Sequence, residues 1–288
     1  MTRFLLAGSD AGQSSYTPPV IRTVRAIRYA TPLREGGSLP AVIEADDADE
    51  YVVKFRGAGQ GPGALIAEVV AGSIGRLLGL AVPEIVLVDL APDFGRAEPD
   101  PEIRELLGRS PGMNAGLRFL PHALPFRPGV SDPPDAATAA AVVWLDALVT
   151  NIDRTPRNPN LLTWQGGLWL IDHGAALYVQ HTWREPDAHA RRPFPQASDH
   201  VLLPYAGSLV DADAALAPRL DDAALQAILA MVPDDWLNVP RERFVAYLSR
   251  RLESPRPFLA DAEAARLEAQ GSGPRNSGRD RAAARADA

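Results

Sequence analysis

The sequence predicts an α+β protein of two lobes: an N-terminal lobe with an antiparallel β-sheet and one helix, and a mostly helical C-terminal lobe. This prediction rests on the order of patterns along the 288 residues, because strand patterns and one long helix precede residue 121 and helices dominate after it. The proline-rich stretch 121–134 lies between the two parts and is typical of a linker. An apolar content of 46% is sufficient for a sizeable core.

The predicted division of the chain has four parts. Residues 21–121 form the N-terminal lobe and residues 122–261 form the C-terminal lobe. Residues 1–20 are expected to be a flexible leader. Residues 262–288 are rich in Ala, Arg and Gly and contain no aromatic residue, so they are expected to be a disordered tail.

The N-terminal lobe is predicted to contain five strands and one principal helix. Alternation of apolar and polar residues, bounded by turn residues, indicates strands at 22–30, 40–45, 50–55, 85–88 and 117–120. The helix is expected over 64–80, with Gly79 and Pro83 marking its end. A second, short helix is expected at 101–108.

The C-terminal lobe is predicted to begin with an apolar helix that Asp135 caps and that runs to about Val149. Two short strands follow, separated by a Gln-Gly-Gly turn, and the last two elements are helices. We expect these four elements at 161–164, 168–171, 221–231 and 240–252. The stretch 181–204 shows little apolar periodicity and is predicted to be a long loop.

Composition excludes several classes of function. The chain has no cysteine, so neither disulfides nor thiolate chemistry is available. No apolar run approaches the length of a membrane span, and the N-terminus has too short an apolar stretch for a secretory signal. A net charge of −7 argues against a nucleic-acid partner. We therefore expect a soluble, cytoplasmic protein with no membrane or nucleic-acid partner.

Lysine occurs once among the 29 basic residues, as Lys54 at the end of a β-like segment. The chain is otherwise rich in arginine, so a position that keeps lysine indicates a need for a compact ammonium on a flexible stem. Glu68, fourteen residues later, lies on a helix face of small and apolar residues. A buried carboxylate requires a cation, and we expect Lys54 to supply it, with Arg76 as the alternative partner.

A second group of polar residues follows the apolar helix. Asp153 and Asn158 lie on a proline-constrained loop, and Asp172 leaves the second strand of the predicted hairpin just before a glycine. The hairpin would bring the two aspartates side by side. One carboxylate to accept a hydroxyl proton, with Asn and Asp as hard oxygen ligands, is the set that phosphoryl transfer from Mg-ATP requires. Asn160 competes with Asn158 as the amide ligand, although the five-residue spacing from Asp153 favours Asn158.

Taken in this order, the lysine, the helix glutamate, Asp-x4-Asn and Asp-x-Gly resemble the protein-kinase-like fold, and within it the HipA-like kinases over roughly residues 22–255. The resemblance implies ATP and Mg²⁺ as cofactors and a hydroxyl-bearing acceptor, of which a protein Ser or Thr is one candidate. It assigns the nucleotide phosphates to Lys54, the positioning of that lysine to Glu68, the catalytic base to Asp153 and the metal to Asn158 and Asp172. It also implies contacts with the nucleotide from Gly36, Gly37, Ser38, Arg118, Phe119 and Leu120.

This sequence departs from the family pattern at two positions beside the site. His173 stands where a phenylalanine usually follows the metal-binding aspartate, and Thr155 stands where a histidine is frequent. The glycine-rich loop is also reduced to Gly36-Gly37-Ser38.

Other interpretations remain at this point. A strand, a glycine-rich turn at 59–64 and a helix mimic a dinucleotide-binding unit, but that interpretation leaves residues 151–174 unexplained. A nucleotide-binding pseudokinase and a small-molecule phosphotransferase are the alternatives within the kinase-like fold. His181, His189 and His200 could be drawn as a metal site, although a solvated loop is the simpler expectation for that segment.

Overall fold

The computed structural model of the chain describes residues 21–33 and 39–271, and in its N-terminal part five strands close into a barrel. In chain order the elements are β1 (Thr23–Pro32), β2 (Ala41–Ala45), β3 (Glu50–Lys54), helix α1 (Gly61–Leu77), β4 (Ile85–Leu90), helix α2 (Pro101–Gly108) and β5 (Gly112–Arg118). The strands are hydrogen-bonded in the order β1-β2-β3-β5-β4.

The expected antiparallel sheet is correct for every neighbouring pair except one. β1 runs parallel to β4, with Thr23 opposite Leu87, and this pairing closes the barrel. Alternation of apolar and polar residues gives the face of a strand and not the direction of its neighbour, so the sequence did not indicate the closure. Barrel closure satisfies strand edges that an open sheet would leave unpaired.

Helix α1 packs against both the barrel and the C-terminal helices. It begins at Gly61, three residues before the predicted start, with Pro62 in its first turn, where a missing N–H costs nothing. Gly79 follows its end with φ +87°, a conformation that glycine adopts without steric penalty. The helix is buried on almost all sides.

The rest of the described chain, as far as residue 271, forms a small sheet and six α-helices. The elements are β6 (Leu124–Pro125), α3 (Ala136–Val149), β7 (Leu161–Trp164), β8 (Gly167–Leu170), α4 (Pro186–Ala190), α5 (Leu209–Leu216), α6 (Asp222–Ala230), α7 (Arg241–Leu252) and α8 (Leu259–Gly271). The Asp135 carboxylate accepts a hydrogen bond of 2.8 Å from the backbone N–H of Thr138 and so caps α3. β6, β7 and β8 pair antiparallel.

Two predictions for the C-terminal part are wrong in detail. The segment 181–204 contains α4 and short 3₁₀ turns, and its apolar residues Trp183, Phe194 and Val201 are buried. The tail predicted to start at 262 overlaps α8, whose Ala262 is buried in the core. An Ala- and Glu-rich stretch favours helix, so composition alone did not separate a docked helix from a tail.

Apolar side chains form two clusters in the described part of the chain. One lies inside the barrel, and the other extends from α1 through α3 to the C-terminal helices. None of the helices described is long and apolar enough to cross a bilayer. The predicted leader 1–20, the turn Gly36-Gly37-Ser38 and residues 272–288 lie outside the described residues.

Candidate active site

Lys54 is the last residue of β3, and its ammonium contacts two carboxylates. Nζ donates to Oε2 of Glu68 at 2.7 Å and also to Oδ1 of Asp172. The lysine is 8% exposed and Glu68 is 1% exposed, so the pair is buried. The predicted pairing of Lys54 with Glu68 is therefore confirmed. Arg76, the alternative partner, donates instead to the carbonyl of Val82 at 2.8 Å.

Both members of this pair are charged. Burial alone would raise the pKa of Glu68, but the Lys54 ammonium and the hydrogen bond from His173 outweigh burial and hold it well below its usual range. Burial alone would lower the pKa of Lys54, but the carboxylates of Glu68 and Asp172 raise it above its usual value. The site therefore contains the Lys54 ammonium, held in place by the carboxylates of Glu68 and Asp172.

Asp172 follows β8 in a left-handed conformation, with φ +54°. Its side chain is 41% exposed, in contrast to that of Glu68. Gly174 lies close to the ion pair, because a Cβ at this position would be 3.0 Å from Nζ of Lys54, a tight contact. The turn thus brings a partly exposed carboxylate against the ammonium.

Asp153 lies on the loop between α3 and β7, where two asparagines hold its carboxylate. Asn158 Nδ2 donates to Oδ2 of Asp153 at 2.8 Å, and Asn160 Nδ2 donates to the same oxygen at 3.3 Å. Asn158 is exposed, whereas Asn160 has φ +50° and its carbonyl accepts from the backbone N–H of Ile171 at 3.1 Å. Asn160 is therefore the amide whose backbone is tied to the residue before Asp172.

A buried arginine joins the two loops. Arg154 donates through Nη1 to the carbonyl of Asn160 at 2.5 Å and to that of Ile171 at 3.4 Å. Its Nε donates to Oδ2 of Asp146 on α3 at 2.5 Å. Arg154 and Asp146 are each at most 1% exposed. One guanidinium thus fixes the loop of Asp153 relative to the end of β8.

Sequence reasoning missed His200, which is the second partner of the Asp146 carboxylate. His200 Nε2 lies 3.0 Å from the Asp146 carboxylate, and His200 Nδ1 accepts from the backbone N–H of Leu202, so Nε2 carries the proton. Burial lowers the pKa of His200 despite the adjacent carboxylate. The expectation of a solvated loop is wrong for this residue. The sequence did contain one sign of this contact, because Asp146 is an acid in the middle of an apolar helix and therefore needs buried partners.

The segment 118–120 is predicted to contact the base of the nucleotide, but some of its backbone N–H groups are already hydrogen-bonded within the barrel. The backbone N–H of Arg118 donates to the carbonyl of Glu84, and that of Phe119 donates to the carbonyl of Glu50, each at 2.8 Å. Arg118, Phe119 and Leu120 line a cavity of about 780 Å³ together with Trp164 and Trp169. Neither Lys54 nor either site aspartate lines that cavity.

Comparisons with known proteins show what family and fold this chain resembles. A family model described as HipA-like kinase matches residues 27–254. The Helicobacter pylori proinflammatory kinase CtkA has a similar fold, with a TM-score of 0.54 and 14% identity, covering 85% of this chain and 99% of that one. A Golgi casein kinase with Mn/ADP bound is more distant, with a TM-score of 0.45 and 13% identity over 89% of this chain and 74% of that one. No curated protein matched.

Proposed function

Because the chain belongs to the HipA-like kinase family, we propose that it transfers the γ-phosphoryl group of ATP to a hydroxyl acceptor at the site formed by Lys54, Glu68, Asp153 and Asp172. The observation that carries this proposal is that the sole lysine, itself buried, contacts both the buried Glu68 and the partly exposed Asp172. A protein Ser or Thr is the acceptor class that we propose first. The nucleotide is proposed to bind between a lobe of residues 21–121 and a lobe of residues 122–261.

Lys54 supplies the positive charge for the nucleotide phosphates. Its ammonium is held on one side by Glu68, which is buried, and contacts Asp172, which is partly exposed, on the other. A fixed cation that needs no reorganisation stabilises the charge that develops on the transferred phosphoryl group. Glu68 acts by holding Lys54 in place.

Asp153 is the proposed base that orients the acceptor hydroxyl and takes its proton. Both asparagine amides donate to Oδ2, which leaves Oδ1 as the oxygen without a donor among the described residues. A carboxylate fixed through one oxygen presents the other in a defined direction, and positioning is a large part of catalysis in phosphoryl transfer.

The proposed metal ligands are Asp172 and Asn158, with Asn160 as the competing amide. Carboxylate and amide oxygens are the donors that Mg²⁺ prefers, so the residues present fit this ion. When bound, the ion would neutralise charge on the phosphate oxygens. The nucleotide base is proposed to contact the segment Arg118–Leu120, and Gly36, Gly37 and Ser38 are proposed to cover the phosphates.

ATP turnover by the purified protein with Mg²⁺ tests this function. Phosphate transfer to a panel of Ser/Thr-containing proteins and small hydroxyl compounds is measured for the wild type, Asp153→Ala and Asp172→Ala. Asp261→Ala is the matched control, because this exposed aspartate on α8 is not part of the proposed site. We expect turnover in the wild type and control and its loss in the two site variants.

Each of the other outcomes supports a different interpretation. ATP binding without turnover on any acceptor would favour a pseudokinase. Transfer confined to small hydroxyl compounds would favour a small-molecule phosphotransferase. Tight binding of NAD without binding of ATP would contradict the proposal altogether.

A further inference from the structure

His173, the residue after Asp172, makes two hydrogen bonds to the buried glutamate of the site. Its backbone N–H donates to Oε2 of Glu68 at 2.9 Å, and its ring Nδ1 lies 3.2 Å from Oε1. The two residues are 105 positions apart, and the histidine is fully buried. One residue therefore contacts both oxygens of Glu68, while Lys54 shares Oε2 with the backbone N–H.

The chemistry of this contact fixes the tautomer of the imidazole. The Glu68 carboxylate is ionised and can only accept, so the ring proton must lie on Nδ1. Nε2 is buried and has no hydrogen-bond partner among the described residues. The bond to Glu68 is thus the polar contact that orients this ring. A phenylalanine would fill similar space and leave Oε1 without this donor.

We propose that His173 is a positioning residue of the phosphotransfer site, which holds Glu68 through Nδ1 and thereby holds Lys54. This proposal rests on the proposed function and goes beyond it, because it assigns a polar role to the residue between Asp172 and Gly174. The same residue is covalently joined to Asp172 and hydrogen-bonded to α1. Movement of the Asp172 turn therefore requires breaking the hydrogen bonds to Glu68.

Substitution of His173 tests the proposal in the full-length protein. His173→Phe keeps a flat aromatic ring, somewhat larger than imidazole, and removes the donor, and we expect kcat/KM to fall about 10- to 100-fold, the effect of losing a hydrogen bond to a charged group. His173→Asn places an amide N–H where Nδ1 lies, and we expect it to recover part of that loss. His189→Phe is the matched control: its ring is partly buried and bonded to Tyr247, outside the site.

A double-mutant cycle separates positioning from a merely structural role. If His173 acts through Glu68, the combination of Glu68→Gln with His173→Phe should be no slower than Glu68→Gln alone. Independent losses that multiply in the double variant would overturn the proposal. So would a His173→Phe variant that is as active as the wild type.

An NMR measurement tests the contact without relying on activity. In protein labelled with ¹⁵N-histidine, the His173 signals should show the proton on Nδ1, and Glu68→Gln should change them. His173→Asn assigns those signals among the five histidines. If the wild type has no turnover but the Nδ1–H signature is present and sensitive to Glu68, the proposed function fails and the contact stands. A neutral ring with its proton on Nε2 alone would overturn the inference whatever the activity.

Discussion

Replacement of the sole lysine by arginine is the sharpest test of the proposed site. Lys54→Arg keeps a positive charge beside Glu68, which is 1% exposed, and exchanges a compact ammonium for a wider planar group. The ammonium contacts Oε2 of Glu68 at 2.7 Å and an oxygen of Asp172 as well. The guanidinium must therefore displace at least one of these contacts.

Two substitutions of Lys54 are expected to differ in their effect on stability and to agree in their effect on activity. Overpacking a buried position costs about 1–3 kcal/mol of the free energy of unfolding, so Lys54→Arg should remain folded. Lys54→Met leaves the Glu68 carboxylate buried without its cation, and removing one partner of such a pair costs about 3–5 kcal/mol. A misplacement of the charge by about 1 Å can lower the rate of transfer about 100-fold. Both variants should therefore lose activity, but only Lys54→Met should lose much stability.

Urea unfolding and ATP turnover, measured on the same preparations, check these expectations. The expected pattern for Lys54→Arg is a small shift in the unfolding midpoint together with a loss of at least about 100-fold in kcat/KM. A fully active Lys54→Arg would refute the reasoning, because the ammonium would then have no role that a guanidinium cannot fill. Equal losses of stability in the two variants would show that charge is not what Glu68 requires.

The remaining predictions concern the metal ligands and the buried acids. Asn158→Ala should weaken Mg²⁺-dependent turnover more than Asn160→Ala, because the Asn158 amide is the proposed metal ligand; the reverse order in a Mg²⁺ titration would favour Asn160, whose backbone is tied to the residue before Asp172. Asp146→Asn should cost about 3–5 kcal/mol in urea unfolding, because it leaves Arg154 buried without its anion; a loss below about 1 kcal/mol would contradict this. The pKa values of Glu68 and Asp146 are lowered by folding, so the free energy of unfolding should fall as pH falls from about 5 to 3, less steeply in Glu68→Gln.

The elements that could be predicted from sequence are those in which a local rule and the fold agree. The pairing of Lys54 with Glu68 was predictable, because a carboxylate on an apolar helix face needs a cation and the chain has one lysine. The hairpin that leads to Asp172 was predictable from two short apolar runs around a Gln-Gly-Gly turn.

The features that were not predictable depend on long-range pairing. The bond between His173 and Glu68 joins residues 105 positions apart, so the unusual histidine was visible in the sequence but its partner was not. The start of β5 was missed because Asn114 interrupts its apolar pattern. In the fold that amide is buried and donates to the carbonyls of Ser110 and Gly112 at 2.9 and 2.8 Å. A buried polar group of this kind is acceptable only when the fold supplies its partners.

The buried cations of this chain show why composition alone does not explain Lys54. Arg251 is 1% exposed and donates to four backbone carbonyls, those of Leu148 and Ala147 at 2.7 Å, that of Ala190 at 3.2 Å and that of Arg192 at 3.3 Å. Arg154 likewise divides its donors between a carboxylate and carbonyls. A guanidinium fork suits several separated acceptors. At Lys54 a single nitrogen contacts two carboxylates, a layout that suits a compact ammonium, so the type of cation at each of these buried positions follows the layout of its acceptors.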